Sequence, residues 1–269
     1  MDDLIAYNKA RWEALAEAGV DWSRPYLDLT PERARAWLDP YALMGDVAGR
    51  DVLCLAAGGG QQSAAFGLLG ANVTVLDLSQ IQLARDHQAA AHYGHSIETV
   101  QGDMRDLSVF ADDAFDLVFL GWSLSFVPDI RPVVDEVARV LRPGGLLFTE
   151  FANPFVVNID EEKDWSGEGY LLKWPYVDGE ELSFEDPDWT WTDEEGTLRR
   201  VEGPREFRHA LSTILNTLAG QGFALLRIRE APEPKDPDAA PGTWDHRVII
   251  APPWLKLWAV LRPDLLATE

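Results

Sequence analysis

Asp51-Val-Leu-Cys-Leu-Ala-Ala-Gly-Gly-Gly60 is an apolar run that breaks into glycines, and Val73-Thr-Val-Leu-Asp77 is a second apolar run that ends on a carboxylate. The order strand, glycine turn, helix, strand builds a crevice for a nucleoside. Glycine lets backbone approach a ligand where a Cβ would collide. A carboxylate at the tip of the next strand can accept the hydroxyl hydrogens of a ribose. A nucleotide-like cofactor is therefore the leading expectation, with Gly58, Gly60 and Asp77 as its first contacts.

Working outward, Ile97-Glu-Thr-Val-Gln-Gly102 reads as a third strand running into Asp103-Met104. Phe115-Asp-Leu-Val-Phe-Leu120 reads as a fourth running into Gly121-Trp-Ser-Leu-Ser-Phe126, and Val140-Leu-Arg-Pro-Gly-Gly-Leu-Leu147 leads into a fifth. Ser79 and Gln82 have the spacing of a capping box at the start of the helix after Asp77, and Pro143-Gly144 is expected to end the helix before the fifth strand. Alternation of this kind from Asp51 to Ala152 means a parallel sheet wrapped by helices on both faces.

Together these segments resemble the class I S-adenosylmethionine-dependent methyltransferases, particularly bacterial small-molecule members, closely over 45–150 and more loosely over 204–251. The resemblance implies an α/β fold with a Rossmann-like, seven-stranded, mostly parallel sheet, and S-adenosyl-L-methionine as cofactor. It implies that Ala56, Gly58 and Gly60 back the cofactor and that Asp77, with Leu78 beside it, meets the ribose. Asp103 would accept a hydrogen bond from the adenine amino group while Met104 packs against the base. Trp122 and Ser123 would face the methionine part of the cofactor. The chain departs from the family loop at Cys54 and Ala56, where an acidic residue and a glycine are usual; Ala56 is expected to be tolerated only at negative φ. The Asn/Asp-Pro-Pro-aromatic loop of many DNA and protein N-methyltransferases is missing after the fourth strand, which points to a small-molecule methyl acceptor.

Bulk properties agree. At 269 residues the chain can bury one sizeable core and a small appended lobe. It has 23 Lys and Arg against 45 Asp and Glu, and a net charge of −22 repels phosphate backbones, so nucleic acid is not an expected partner. No apolar stretch suits a membrane span and no basic-then-apolar leader suggests export, so a cytoplasmic protein with no membrane partner is expected. The single cysteine, Cys54, reads as a buried apolar residue.

Four regions follow from the patterning: a helical cap over 1–46, the cofactor core over 47–152, an insertion on the methyl-acceptor side over 153–203, and the rest of the core over 204–269. In the cap, Tyr7, Trp12, Leu15 and Ala16 recur near helical spacing, and Thr30-Pro31 is an N-cap with proline in the first turn. The insertion reads as an antiparallel flap. Tyr170 to Tyr176 and Trp189-Thr-Trp191 are its strand-like pieces, Glu195-Gly196 its turn, and Glu161-Glu162 a solvated acidic face. Beyond it, Phe207 to Gly222 reads as an amphipathic helix, Phe223 to Arg229 and His246 to Ala251 as two strands, and Ala231 to Gly242 as a loop.

The methyl-acceptor site is less legible. His87, His92 and His95 fall on or after a surface-type helix with no metal-ligand spacing and read as solvated, so no metal is expected. His209 follows the insertion and is the best candidate for a general base, with Tyr170 as a second; Trp174, Tyr7 and Trp12 are expected to bind the methyl acceptor beside them. Tyr7, Asn8 and Trp12 also suit a lid over the cofactor. Methyl transfer from a sulfonium is an in-line displacement, so the protein mainly aligns the methyl acceptor and excludes water. Oxygen, nitrogen and sulfur nucleophiles remain open. The competing readings are an NAD-dependent oxidoreductase, against which the missing third glycine of the dehydrogenase fingerprint argues, and a non-catalytic cofactor-binding protein.

Overall fold

β-branched and aromatic residues run together between glycine turns at β1 (Asp51–Leu55), β2 (Asn72–Asp77), β3 (Ile97–Gln101), β4 (Phe115–Gly121) and β5 (Leu141–Ala152), and each is a strand. The computed structural model describes residues 3–160, 162–182, 187–193, 196–231 and 236–266. Glu161, Glu195 and residues 232–235 of the loop after Ala231 lie outside them. The five strands are parallel, and β8 (Phe223–Ala231) and β9 (Trp254–Leu261) complete a seven-stranded mixed sheet in the order β3-β2-β1-β4-β5-β9-β8. β9 is the antiparallel member, paired with β5 on one side and β8 on the other.

Alternation along the strands sends side chains into two cores. Val52, Cys54, Phe119, Phe148 and Trp258 meet α2 (Pro31–Leu38), α3 (Gln62–Leu68) and α4 (Gln80–Tyr93) on one face. Leu53, Leu55, Leu147 and Phe151 meet α5 (Arg131–Val140) and α6 (Leu211–Gly220) on the other. The strand order reverses between β1 and β4, which opens a crevice at the carboxyl edge.

α1 (Asp3–Glu17) lies over that edge, tied down through Asn8, whose amide donates to Phe126 O at 3.3 Å and Arg205 O at 3.2 Å. A separate antiparallel pair, β6 (Asp188–Thr192) and β7 (Leu198–Glu202), packs on it: Trp191 joins Leu15 and Val20 in a third apolar cluster. α2 begins as expected, with Thr30 accepting from Arg33 N and Pro31 in the first turn. α4 keeps half of its capping box. Ser79 Oγ accepts from Gln82 N, but the N–H of Ser79 goes to Asp77 Oδ1 at 2.8 Å rather than to Gln82.

Several local expectations need correction. His246 to Ile250 is helical, within α7 (Trp244–Ile250), with Ala251 its C-cap, because Thr243 caps it by accepting from His246 N and Pro252-Pro253 stops it; the last strand lies beyond, at β9. α6 starts at Leu211, not Phe207: Phe207 N is taken by Ser125 O and Arg208 N by Glu180 O, while Asp178 and Tyr176 accept from Ala210 N and Leu211 N. Tyr170 to Tyr176 makes no strand, only a bridge between Trp165 and Tyr170, and Pro175 has no N–H to offer a ladder. α5 ends at Val140, before Pro143-Gly144, which fall inside β5. His95 is not solvated; its ring sits against Gly67 and its Nε2 is buried without a partner among the described residues.

Candidate active site

The floor of the site is the turn after β1. Ala56 sends its N–H to Leu76 O at 2.7 Å and turns the chain at φ 47°. This overturns the expected negative φ. A Cβ in the left-handed region costs about 1–2 kcal/mol, and the bonds on either side hold it there, including one from Ser123 Oγ to Ala56 O at 2.7 Å. The glycines are then required by crowding. A Cβ on Gly58 would stand 3.0 Å from the Asp77 carboxylate, and one on Gly60, at φ 81°, would stand 2.7 Å from Arg85 O.

Each glycine N–H is taken by a carboxylate. Gly58 N donates to Asp77 Oδ2 at 2.9 Å, Gly59 N to Asp86 Oδ2 at 3.0 Å, and Gly60 N to Asp86 Oδ1 at 2.9 Å; Ser63 Oγ also donates to Asp86. Burial pushes the Asp77 carboxyl up against the pull of the Ser79 and Gly58 N–H groups, and burial raises Asp86 to about 7. A pyrophosphate needs free N–H donors at such a loop. It would find these three occupied, with the Asp77 carboxylate beside them. A ligand with hydroxyls and a positive charge fits, since a carboxylate has about four lone-pair sites and Asp77 uses two of its own.

The neighbouring strand ends complete the crevice. Gly102 N donates to Asp77 O at 3.1 Å, which sets Asp103 beside the end of β2. The Asp103 carboxylate is gripped by Arg105, Nη2 to Oδ2 at 2.9 Å, and Met104 is buried in the core with Leu76 and Leu107. The carbonyl of Leu78 accepts from Gln101 Nε2 at 2.9 Å. Past β4, Trp122 stands at φ 64°, half-exposed, its N–H on Glu150 O and its ring edge-on to Trp254 at 4.3 Å. Direct hydrogen bonds thus join Ala56 to Ser123 and Gly58 to Asp77.

The residues expected on the methyl-acceptor side are dispersed. Tyr7 Oη donates to Glu202 at 2.8 Å, and Trp12 packs edge-on to Phe126 and Trp189. Tyr170 Oη lies 3.0 Å from His246 Nδ1 and its ring meets Trp165; Trp174 is exposed. His209 is buried with Nε2 at 3.0 Å from Leu124 O, and burial holds its pKa below the usual histidine range, so the ring is neutral at pH 7 with Nε2 committed as a donor. It lines a cavity of about 10 Å³ with Phe151, Phe207 and Ile214, room for about one water molecule.

Two carboxylates escaped the sequence reading. Asp86 carried a signal, a charged residue on the helix face that also buries Leu83, Ala89 and Ala90. Glu150 carried a similar one, an acid near the end of an otherwise apolar strand. It is buried beside Lys256 Nζ at 3.7 Å, and burial raises its pKa to about 7.

A family model described as a methyltransferase domain matches residues 53–149. The chain is 38% identical over 196 residues to the uncharacterized methyltransferase YbaJ of Bacillus subtilis (strain 168), a match covering 68% of this chain and 76% of that one. The chain belongs to the class I S-adenosylmethionine-dependent methyltransferases. It is an enzyme homologous to the bacterial small-molecule methyltransferases, and S-adenosyl-L-methionine is its cofactor. Similarity extends to a ubiquinone biosynthesis O-methyltransferase of Pseudomonas syringae pv. tomato, 34% identical over 147 residues, 54% of this chain and 62% of that protein. The fold matches that of an S-adenosylmethionine-dependent methyltransferase from Clostridium acetobutylicum at TM-score 0.60 and 16% identity, covering 93% of this chain and 96% of the other. Among the described residues no helix is long and apolar enough to cross a membrane.

Proposed function

We propose that this methyltransferase delivers its methyl group to an oxygen or nitrogen on a small molecule that enters between the cap over 1–46 and the insertion over 153–203. The observation that carries the reading is the closure of the glycine-loop N–H groups on Asp77 and Asp86. That arrangement suits a cationic nucleoside and disfavours the phosphates of NAD. The bound cofactor supplies an electrophilic methyl group on a sulfonium. In this reading Ala56, Gly58 and Gly60 form the floor, Asp77 takes the ribose hydroxyls, and Leu78, Asp103 and Met104 border the adenine. Trp122 and Ser123 border the sulfonium.

The similar Pseudomonas protein, named for O-methylation in ubiquinone biosynthesis, supports an oxygen atom as one class of target. The net charge of −22 argues against nucleic acid and anionic membrane surfaces as partners. Tyr7, Trp12, Tyr170 and Trp174 are assigned to the walls and lid of the methyl-acceptor side. His209 is assigned to hold the segment after β4 through Leu124 O. Calorimetry with S-adenosylhomocysteine and with NAD tests the reading. Binding of the first alone is expected, and binding of NAD alone would overturn it.

A further inference from the structure

Parallel register pairs Glu150 of β5 with Gly121 of β4, so both face the same side of the sheet. That side is set by alternation: Leu146 and Phe148 belong to the core under α3, whereas Leu147 and Phe151 belong to the opposite one. Lys256 and Trp254 face it too, being in step with Trp258 of the same core. Glu150 is thereby carried to the carboxyl edge, one residue away from the Trp122 and Ser123 segment that touches Ala56.

Gly121 carries no side chain there, and the Phe119 ring leans into the space, its Cε1 3.3 Å from where a Cβ would stand. Gln62 Nε2, on the first side chain of α3 immediately after the glycine loop, stands 3.9 Å from that same position, and Gly121 is the strand partner of Glu150. Gln62 Oε1 is buried and has no hydrogen-bond partner among the described residues. An orphaned amide oxygen in a dry site costs free energy unless something binds it. Two indoles, Trp122 and Trp254, stand alongside.

We propose that Glu150 is the catalytic base of this enzyme and that Gln62 orients the methyl acceptor beside it, in a subsite along the Trp122 and Trp254 indoles that takes a planar ring bearing an O–H or N–H. The proposal rests on the methyl-transfer reading above and replaces His209 as the proton acceptor. As the carbon–sulfur bond breaks, its electron pair stays on sulfur, which becomes a neutral thioether. A lone pair on the ring oxygen or nitrogen forms the new bond to carbon, and the proton from that atom passes to the Glu150 carboxylate and on to water. Lys256, the charged side chain nearest Glu150, favours the ionised carboxylate. From the other elements packed against it, β4 presents Gly121 and Trp122 and α3 presents Gln62, none of which titrates. Arg229 of β8 is the strand partner of Lys256.

A binding measurement tests this without any methyl acceptor. Sinefungin carries an ammonium where the sulfonium methyl would be, whereas S-adenosylhomocysteine carries nothing there. By calorimetry at pH 8, the wild-type enzyme should prefer sinefungin by about 10- to 100-fold, the scale of a hydrogen bond between charged groups. Glu150→Gln should bring the preference to within about threefold while S-adenosylhomocysteine binds as before. Lys256→Met keeps the carboxyl but loses the cation that favours its charge. Its preference for sinefungin should therefore appear at a higher pH than the wild-type onset near 7. Asp86 titrates in the same range, but its oxygens hold the glycine loop, so its ionisation should move both ligands together. An unchanged preference in Glu150→Gln, with both ligands bound, would overturn the assignment and leave the cofactor reading intact. Failure of S-adenosylhomocysteine to bind the wild-type enzyme would overturn the methyl-transfer reading itself.

Discussion

The two halves of the crevice are built from different materials. On the cofactor side, between β1 and α4, backbone N–H groups close on the half-buried Asp77 and the buried Asp86 carboxylates within a stretch that runs from Asp51 to Asp86. On the methyl-acceptor side, side chains meet across nearly the whole chain: Tyr7 with Glu202, Arg11 with Glu202, and Asn8 with Arg205. The first kind of contact is short in sequence and part-buried or buried; the second is long in sequence and, apart from the buried Asn8, exposed. Buried hydrogen bonds to charged groups are expensive to break, whereas exposed pairs are screened by water. The cofactor side should therefore be brittle and the other side forgiving.

The sharpest way to break that contrast is Asp86→Ala, which leaves the N–H groups of Gly59 and Gly60 without their carboxylate. At about 1–3 kcal/mol for each buried donor left unmade, urea unfolding should show a loss of several kcal/mol and S-adenosylhomocysteine affinity should fall with it. A midpoint within error of wild type would mean that the loop is not held from below.

Asp77→Ala should come next, weakening S-adenosylhomocysteine by about 1.5–3 kcal/mol, roughly 10- to 100-fold in calorimetry. A smaller change than threefold would remove Asp77 from the ribose.

Asp86 also gives the contrast a pH signature. Its folded pKa of about 7 lies above the ordinary 3.8, so between these values the unfolded chain binds fewer protons than the folded one. The contribution of this group to stability is complete below the unfolded pKa and is lost as pH rises through 7. In Asp86→Asn the slope of stability against pH between about 5 and 7 should flatten relative to wild type; parallel slopes in denaturant titrations would show that Asp86 does not titrate there.

On the forgiving side, Asn8→Ala removes three bonds that tie α1 to Phe126 and Arg205. We expect about 1–2 kcal/mol of stability lost and less than a threefold change in S-adenosylhomocysteine affinity. Collapse of that affinity would show that cap and glycine loop act as one unit, through Tyr26 N to Gly60 O and Gln61 Nε2 to the carbonyls of Trp22 and Arg24. The smallest effect belongs to Tyr7→Phe, which loses one exposed bond to Glu202 and should cost below about 1 kcal/mol by the same unfolding assay.

Residue order alone determined the parallel core, the glycine turn after Leu55, and Asp77 at the tip of the second strand. These depend on apolar runs and turn chemistry within a few residues of one another. The same reading placed the last strand at His246 to Ala251, where a Thr243 cap and the two prolines that follow make a helix and push the strand to Trp254. It also gave Ala56 a negative φ, because the bonds that stabilise the left-handed turn come from Leu76 and Ser123, outside the loop. Above all, the protonation of a side chain is not written beside it. Asp86 and Glu150 are ordinary acids in the sequence, and His209 is an ordinary base. Their shifted pKa values arise from desolvation by the packed protein around them, opposed at Glu150 by Lys256 of β9 and at His209 by its hydrogen bond to Leu124 O. Local patterning is fixed by neighbours in the chain, whereas burial and charge are fixed by neighbours in space, and only the folded chain supplies those.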